Sequence, residues 1–143
     1  MTTPKPDPTI AVVQRFLDAL RRLDTPGALA LMADDVVYHN VSLPQARGKD
    51  AVTRQLGMFE RYVAEFDVIV HHIAADGDVV LTERTDVLRV GPVRSEFWVC
   101  GTFEVRDGLI VLWRDYFDWA NLLTGTAKGA GRALAGLVKG LRR

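Results

Sequence analysis

Residues 79–119 read VVLTERTDVLRVGPVRSEFWVCGTFEVRDGLIVLWRDYFDW, and the two short breaks inside this run decide the architecture. Gly91-Pro92 and Asp107-Gly108 separate strand-length segments of alternating polarity, which predicts strands near 79–90, 93–105 and 109–119. Asp76-Gly77 marks the same kind of turn upstream and adds a strand near 66–74. Turns this short join antiparallel neighbours, so the four strands read as a meander.

Before the meander the period is helical. Asp7 and Pro8 fit an N-cap and a first helical position, and Ile10, Val13, Leu17 and Leu20 follow at helical spacing to about Leu23. Thr25-Pro26 opens a shorter helix ending near Ala33, and VVYHNV at Val36 to Val41 reads as a short strand. A loop with Pro44 and Gly48 leads into a third helix whose buried stripe is Val52, Leu56, Phe59 and Val63. Helices first and a meander after predict an α+β fold with the helices packed on one face of a curved sheet. The chain shows no internal repeat and reads as one domain over residues 1–143, with a flexible stretch at 1–8 and a tail from about 120 to 143.

Composition narrows the function. A chain of 143 residues buries roughly 68–70% of its unfolded surface, enough for one core and one cavity. Its 18 basic and 18 acidic residues balance, and no Lys/Arg run interleaves with aromatics, so nucleic acid is not an expected partner. Cys100 stands alone, which excludes an internal disulfide and a thiolate zinc cage and reads as core filling. No signal-like apolar segment follows Met1 and no apolar run reaches 18 residues, so a cytoplasmic protein is expected.

The strand LTERTDVLRV, Leu81 to Val90, poses a physical problem. Alternation puts Thr82, Arg84, Asp86 and Leu88 on one face and Leu81, Glu83, Thr85 and Val87 on the other, so neither face is cleanly apolar. A central strand of this kind removes charge from water, at several kcal/mol per ion unless it is partnered. The last strand offers the partner. Its faces are Trp113, Asp115, Phe117 and Trp119 against Leu112, Arg114, Tyr116 and Asp118, and the aromatic neighbours put Asp115 in an apolar cavity.

These two strands flank a third, about 10 Å apart in a flat sheet. Curvature would draw Asp86 and Asp115 together, with Arg84 bridging them over Gly101, where no side chain intervenes. An arginine between two buried carboxylates neutralises one, so the other is expected to hold a proton near neutral pH. Tyr38 and Asn40, two apart on a strand, point the same way and could hold a water molecule. A base, an acid and a held water suit the addition of water to a strained neutral electrophile such as an epoxide.

YHN at 38–40, ERTD at 83–86 and WRDYFD at 113–118, in this order and spacing, resemble the limonene-1,2-epoxide hydrolase family of the NTF2-like (SnoaL-like) superfamily. The likeness extends from the first helix to Asp118. It implies a cone-shaped fold with a deep apolar pocket, no metal or organic cofactor, and a homodimer. It also implies that Asp115 is the general base on water, Tyr38 and Asn40 position that water, Asp86 is the general acid on the epoxide oxygen, and Arg84 bridges the two carboxylates. Leu17, Leu20, Phe59, Leu88, Phe97, Val99, Phe117 and Leu122 are the expected pocket walls. The expected partners are a small lipophilic epoxide of terpene to sterol size, and water.

Other readings stand beside this one. The three charged residues could form a purely structural ion network. The superfamily also hosts steroid and polyketide isomerases and cyclases, which need a carboxylate base and an oxyanion donor, and the same cone could serve as a non-catalytic carrier. A serine-hydrolase-like mechanism is excluded because the chain has no G-x-S-x-G elbow. His39 is expected at the surface or an interface, and His71-His72 lack a third spaced ligand for a metal. Trp98 and Trp113 read as packing or dimer contacts. In the tail, Leu134, Leu137, Val138 and Leu141 form an apolar stripe accompanied by Lys128, Arg132, Lys139, Arg142 and Arg143. Gly129, Gly131, Gly136 and Gly140 weaken the helix. A helix packed on the dimer or the pocket mouth is the favoured expectation there, ahead of a loose tail or contact with a membrane surface.

Overall fold

The computed structural model describes residues 4–142, apart from the side chain of Trp119. Met1 to Thr3 and Arg143 lie outside the described residues, so the expected flexible stretch at 1–8 is described only from Pro4. The order of elements is α1 (Pro8–Arg21), α2 (Thr25–Ala30), β1 (Met32–Asn40), β2 (Ala46–Arg47), α3 (Lys49–Tyr62), β3 (Glu65–Asp76), β4 (Val79–Val90), β5 (Val93–Arg106), β6 (Leu109–Phe117) and α4 (Trp119–Leu141). The six strands form one mixed sheet in the order β2-β1-β6-β5-β4-β3. β3 to β6 pair as the antiparallel meander, and β1 runs parallel to β6.

α1 supplies the lid of the core. Asp7 caps it through its carboxylate, which accepts from the Thr9 and Ile10 amides, and Pro8 fills the first position. Its buried residues Val12, Val13, Phe16, Leu17 and Leu20 recur at helical spacing and face the sheet. There Phe16 meets the edges of Phe103 and Trp113 at centroid separations of 5.9 and 4.9 Å. From α3, Val52 and Leu56 are buried and Phe59 is half-buried, packed edge-on against Phe66 of β3.

Several element boundaries differ from the sequence reading, among them the end of α2 at Ala30 rather than near Ala33, and three have a clear local reason. α1 stops at Arg21, and Leu23 adopts φ +53°, turning the chain into Asp24, whose carboxylate caps α2 by accepting from the Gly27 amide. β1 begins at Met32 rather than Val36, because the buried Met32 and Val36 bracket the exposed pair Asp34-Asp35, which conceals the strand. β6 ends at Phe117 rather than 119, because Asp118 caps α4 by accepting from the Asn121 amide at 3.2 Å.

The early end of β6 leaves one side of β5 unpaired before Val99, its partner Phe117 being the last residue of β6. α4 lies along this free edge. The Trp98 amide donates to Asn121 Oδ1 at 2.9 Å, and Ser95 Oγ lies 3.3 Å from Thr126 Oγ1. A Cβ added at Gly125 or Gly129 would collide with the carbonyl oxygens of Glu96 and Arg94. Gly129, expected to weaken the helix, therefore joins Gly125 in letting α4 approach a strand backbone and cover a sheet edge.

Candidate active site

Curvature of the sheet brings β4 and β6 to one guanidinium. Ladder partners run Thr82 to Gly101 to Asp115 across β4, β5 and β6, and the missing side chain at Gly101 leaves room for Arg84. A Cβ there would strike Arg84 Nη1 and lie 3.0 Å from Asp115 Oδ1. Arg84 Nε and Nη2 donate to Asp86 Oδ1 and Oδ2 at 2.8 and 3.2 Å, and Nη2 also donates to Asp115 Oδ2 at 2.8 Å. Nη1 donates to Thr82 Oγ1 at 3.3 Å. All three charged side chains are buried, Arg84 at 1%, Asp86 at 4% and Asp115 at 2% exposure.

This cluster carries one positive and two negative charges when fully ionised, an imbalance that burial makes costly. Burial pushes the Asp86 carboxyl up to about 6, with the nearby Asp115 charge acting the same way and Arg84 only partly opposing it. Burial also works against the Arg84 charge, but the two carboxylates outweigh it and hold the guanidinium above its ordinary value. A single proton on Asp86 makes the cluster neutral.

β1 brings the third component. Its parallel register sets Tyr38 beside Trp113 and Asn40 beside Asp115. Tyr38 stacks on Trp113 at 3.8 Å between ring centroids and 22° between planes, and its hydroxyl donates to Asn40 Oδ1 at 2.9 Å. Burial and then the Asp115 charge raise the Tyr38 phenol well above its usual range, so it stays protonated. The bond from Tyr38 occupies the Asn40 oxygen and leaves its NH₂ group to donate elsewhere. Asp115 Oδ1 is buried and accepts no hydrogen bond from the protein.

Arg84, Asp86, Asp115, Tyr38 and Asn40 all line one cavity of about 390 Å³, within the size range of small-molecule sites. Of the expected walls, Leu17, Leu20, Phe59, Leu88, Phe97 and Phe117 line it. Val99 and Leu122 are not among the lining residues. Val99 is fully buried between its ladder partners Arg84 and Phe117, whose larger side chains reach the cavity instead. Leu122 lies on α4, where the chain has already turned along the β5 edge. Gln55, Leu56, Met58, Phe66 and Trp113 complete the lining. Three of these sit on α3 within a turn of Phe59, but only Leu56 belongs to the stripe read from the sequence; Gln55 and Met58 lie outside it.

Trp113 is 5% exposed and packs in the core. Trp98, 43% exposed, sits on the convex face. His39, expected at the surface or an interface, is half-buried, and its Nδ1 is enclosed without a hydrogen bond. His71 bonds the Thr85 hydroxyl at 2.8 Å. Among the described residues no group of three or more His, Cys, Asp or Glu side chains is placed to hold a metal ion.

Residues 7–128 match the family model of the limonene-1,2-epoxide hydrolase catalytic domain. Over 117 residues, 82% of this chain and 78% of the relative, the sequence is 47% identical to epoxide hydrolase EphG of Mycobacterium tuberculosis (strain ATCC 25618 / H37Rv). The solved structure of an LEH-like epoxide hydrolase from M. tuberculosis superimposes with a TM-score of 0.84 at 43% identity, covering 90% of this chain and 96% of that one. An NTF2-like protein from Burkholderia pseudomallei shares the fold at a TM-score of 0.75 and 19% identity, covering 84% and 98% of the two chains.

Proposed function

The chain belongs to the limonene-1,2-epoxide hydrolase family, and from that premise we propose that it adds water to a lipophilic epoxide in one step, giving the vicinal diol. The observation that carries this reading is the pairing, in one apolar cavity, of a carboxylate with a free buried oxygen, Asp115, and a carboxyl raised to about 6, Asp86. In this reading a water molecule donates its hydrogens to Asp115 Oδ1 and the Tyr38 oxygen and accepts from the Asn40 NH₂ group. Its remaining lone pair then faces the substrate. Asp115 takes a proton as the water oxygen bonds to an epoxide carbon, the C–O bond breaks, and Asp86 delivers a proton to the departing oxygen. One proton has left the cluster and one has entered it, so its net charge is unchanged and no charge is created in the low-dielectric cavity.

We further propose that the whole chain works as one catalytic domain in the cytoplasm and pairs as a homodimer through the convex face of the sheet. The support for pairing is a set of large apolar side chains there, with Ile69 46%, Leu81 52%, Trp98 43% and Tyr116 42% exposed. An isomerase would use the same carboxylates, but the relatives of 43–47% identity are epoxide hydrolases.

A screen of apolar epoxides from terpene to sterol size, scored for diol, tests the activity; no diol from any of them overturns it. A single turnover in oxygen-18 water tests the mechanism. Label is expected in the diol from the first turnover, because water attacks carbon directly. Unlabelled first-turnover diol would instead mean that an enzyme carboxylate had attacked and formed an ester.

The proton on Asp86 sets a pH dependence. Burial pushes its carboxyl up to about 6, and only the protonated form can serve as acid. The value of kcat/KM is therefore expected to fall about tenfold per pH unit above that point. A profile that stays flat from pH 5 to 9 would remove Asp86 from the role of acid.

A further inference from the structure

α4 changes character along its length. Its first part lies against β5 through Asn121, Gly125, Thr126 and Gly129, whereas a Cβ added at Gly131, Gly136 or Gly140 would point into open space. Leu123, Leu134, Leu137 and Leu141 recur at helical spacing, with Ala127 and Ala130 between, and form one face. Those four leucines are 63–88% exposed. On the opposite side stand Lys128, Arg132 and Lys139, with Arg142 at the flank. The family match ends at residue 128, so the outer half of this helix lies beyond it.

Charge decides what covers the apolar face. Five of the chain's 18 basic residues and none of its 18 acidic ones lie after Asp118. A second copy of α4 would bury the leucines but bring two wholly cationic helices together with no carboxylate to pair them. A bilayer containing anionic lipid takes both features at once: acyl chains receive the leucines and headgroups meet the basic residues. The rest of the chain carries the balancing negative charge and is repelled from such a surface, which orients the molecule with α4 toward it. We propose that the exposed face of α4 docks on an anionic lipid bilayer, lying in the plane of the headgroups. Among the described residues no helix is long and apolar enough to cross a membrane, so the contact is peripheral.

Docking has a consequence for substrate supply, which rests on the epoxide hydrolase reading. α4 begins two residues after Phe117, and its Thr126 contacts Ser95, two residues from Phe97; both phenylalanines are cavity walls. A helix on the bilayer therefore holds the apolar cavity beside the phase in which a lipophilic epoxide dissolves.

The test is co-sedimentation of the full-length protein with phosphatidylcholine vesicles, with and without about 30% phosphatidylglycerol. The protein is expected to sediment with the anionic vesicles and not with the neutral ones, and to be released by high salt. Leu137→Asp and Lys139→Glu, both remote from the cavity, are each expected to lower the partition coefficient about tenfold or more. Both are expected to leave melting and turnover of a detergent-dispersed epoxide unchanged. Absence of binding, binding that ignores both substitutions, or a concentration-dependent oligomer dissolved by Leu137→Asp each overturn the proposal, the last in favour of a second copy. Vesicle binding needs no catalysis. A protein that binds but makes no diol refutes the enzymatic reading alone, and one that makes diol but ignores vesicles refutes the docking alone.

Discussion

Asp115→Asn and Asp86→Asn are each expected to lower kcat by about 10²–10⁴, the usual contribution of a positioned base or acid, while leaving the fold and the cavity intact. The geometry explains why the fold survives. An asparagine at 115 keeps an oxygen to accept from Arg84 Nη2, now at 2.8 Å, and one at 86 keeps an oxygen for Arg84 Nε, also at 2.8 Å. What each loses is specific: at 115 an oxygen able to take a proton from water, at 86 a proton to give. Because both transfers belong to one step, the double variant is expected to be little slower than either single one, the non-additivity of groups that act as a unit. The measurements are kcat and thermal melting on all three variants. Near-native turnover in both single variants would make the cluster structural and remove the site assignment.

The site was more legible in the sequence than the edges of the fold. Arg84, Asp86 and Asp115 announced themselves because charge in a central strand must find a partner, and the two-residue period fixed which side chains shared a face. Gly101 was legible for the same reason, as the single gap between two flanking strands. The parallel pairing of β1 with β6 was not, since nothing local specifies a long-range partner; Tyr38 and Asn40 could be paired with each other by spacing but placed beside Asp115 only through the family likeness.

Val99 shows the limit of the face rule. It lies on the expected face, yet sharing a face with the cavity does not give a small side chain access to it when Arg84 and Phe117 flank it. α4 shows a different limit. A glycine in a helix reads as a loss of propensity, and only the approach of the β5 carbonyls reveals that Gly125 and Gly129 are required where they stand.

The other large effect falls on stability. Arg84 is 1% exposed and donates three hydrogen bonds to the two carboxylates, so Arg84→Ala strands buried negative charge. Breaking a buried pair in this way costs about 3–5 kcal/mol, a fall in melting temperature on the order of 10 °C for a chain of this length. The loss has a sign in pH. Without the guanidinium the Asp86 carboxyl, already raised by burial, loses the charge that partly opposed the rise, so acid relieves the stranded charge, and the variant is expected to lose more stability at pH 8 than at pH 5. A packing defect would cost the same at both. A variant that melts within about 2 °C of the native protein at pH 8 would show that the guanidinium is not neutralising buried carboxylates. Combining Arg84→Met with Asp86→Asn and Asp115→Asn removes all three charges, and this variant is expected to recover much of the lost stability with no turnover. Recovery of folding without recovery of chemistry would mean that the fold tolerates the cluster rather than depends on it, and that its charges are retained for the reaction.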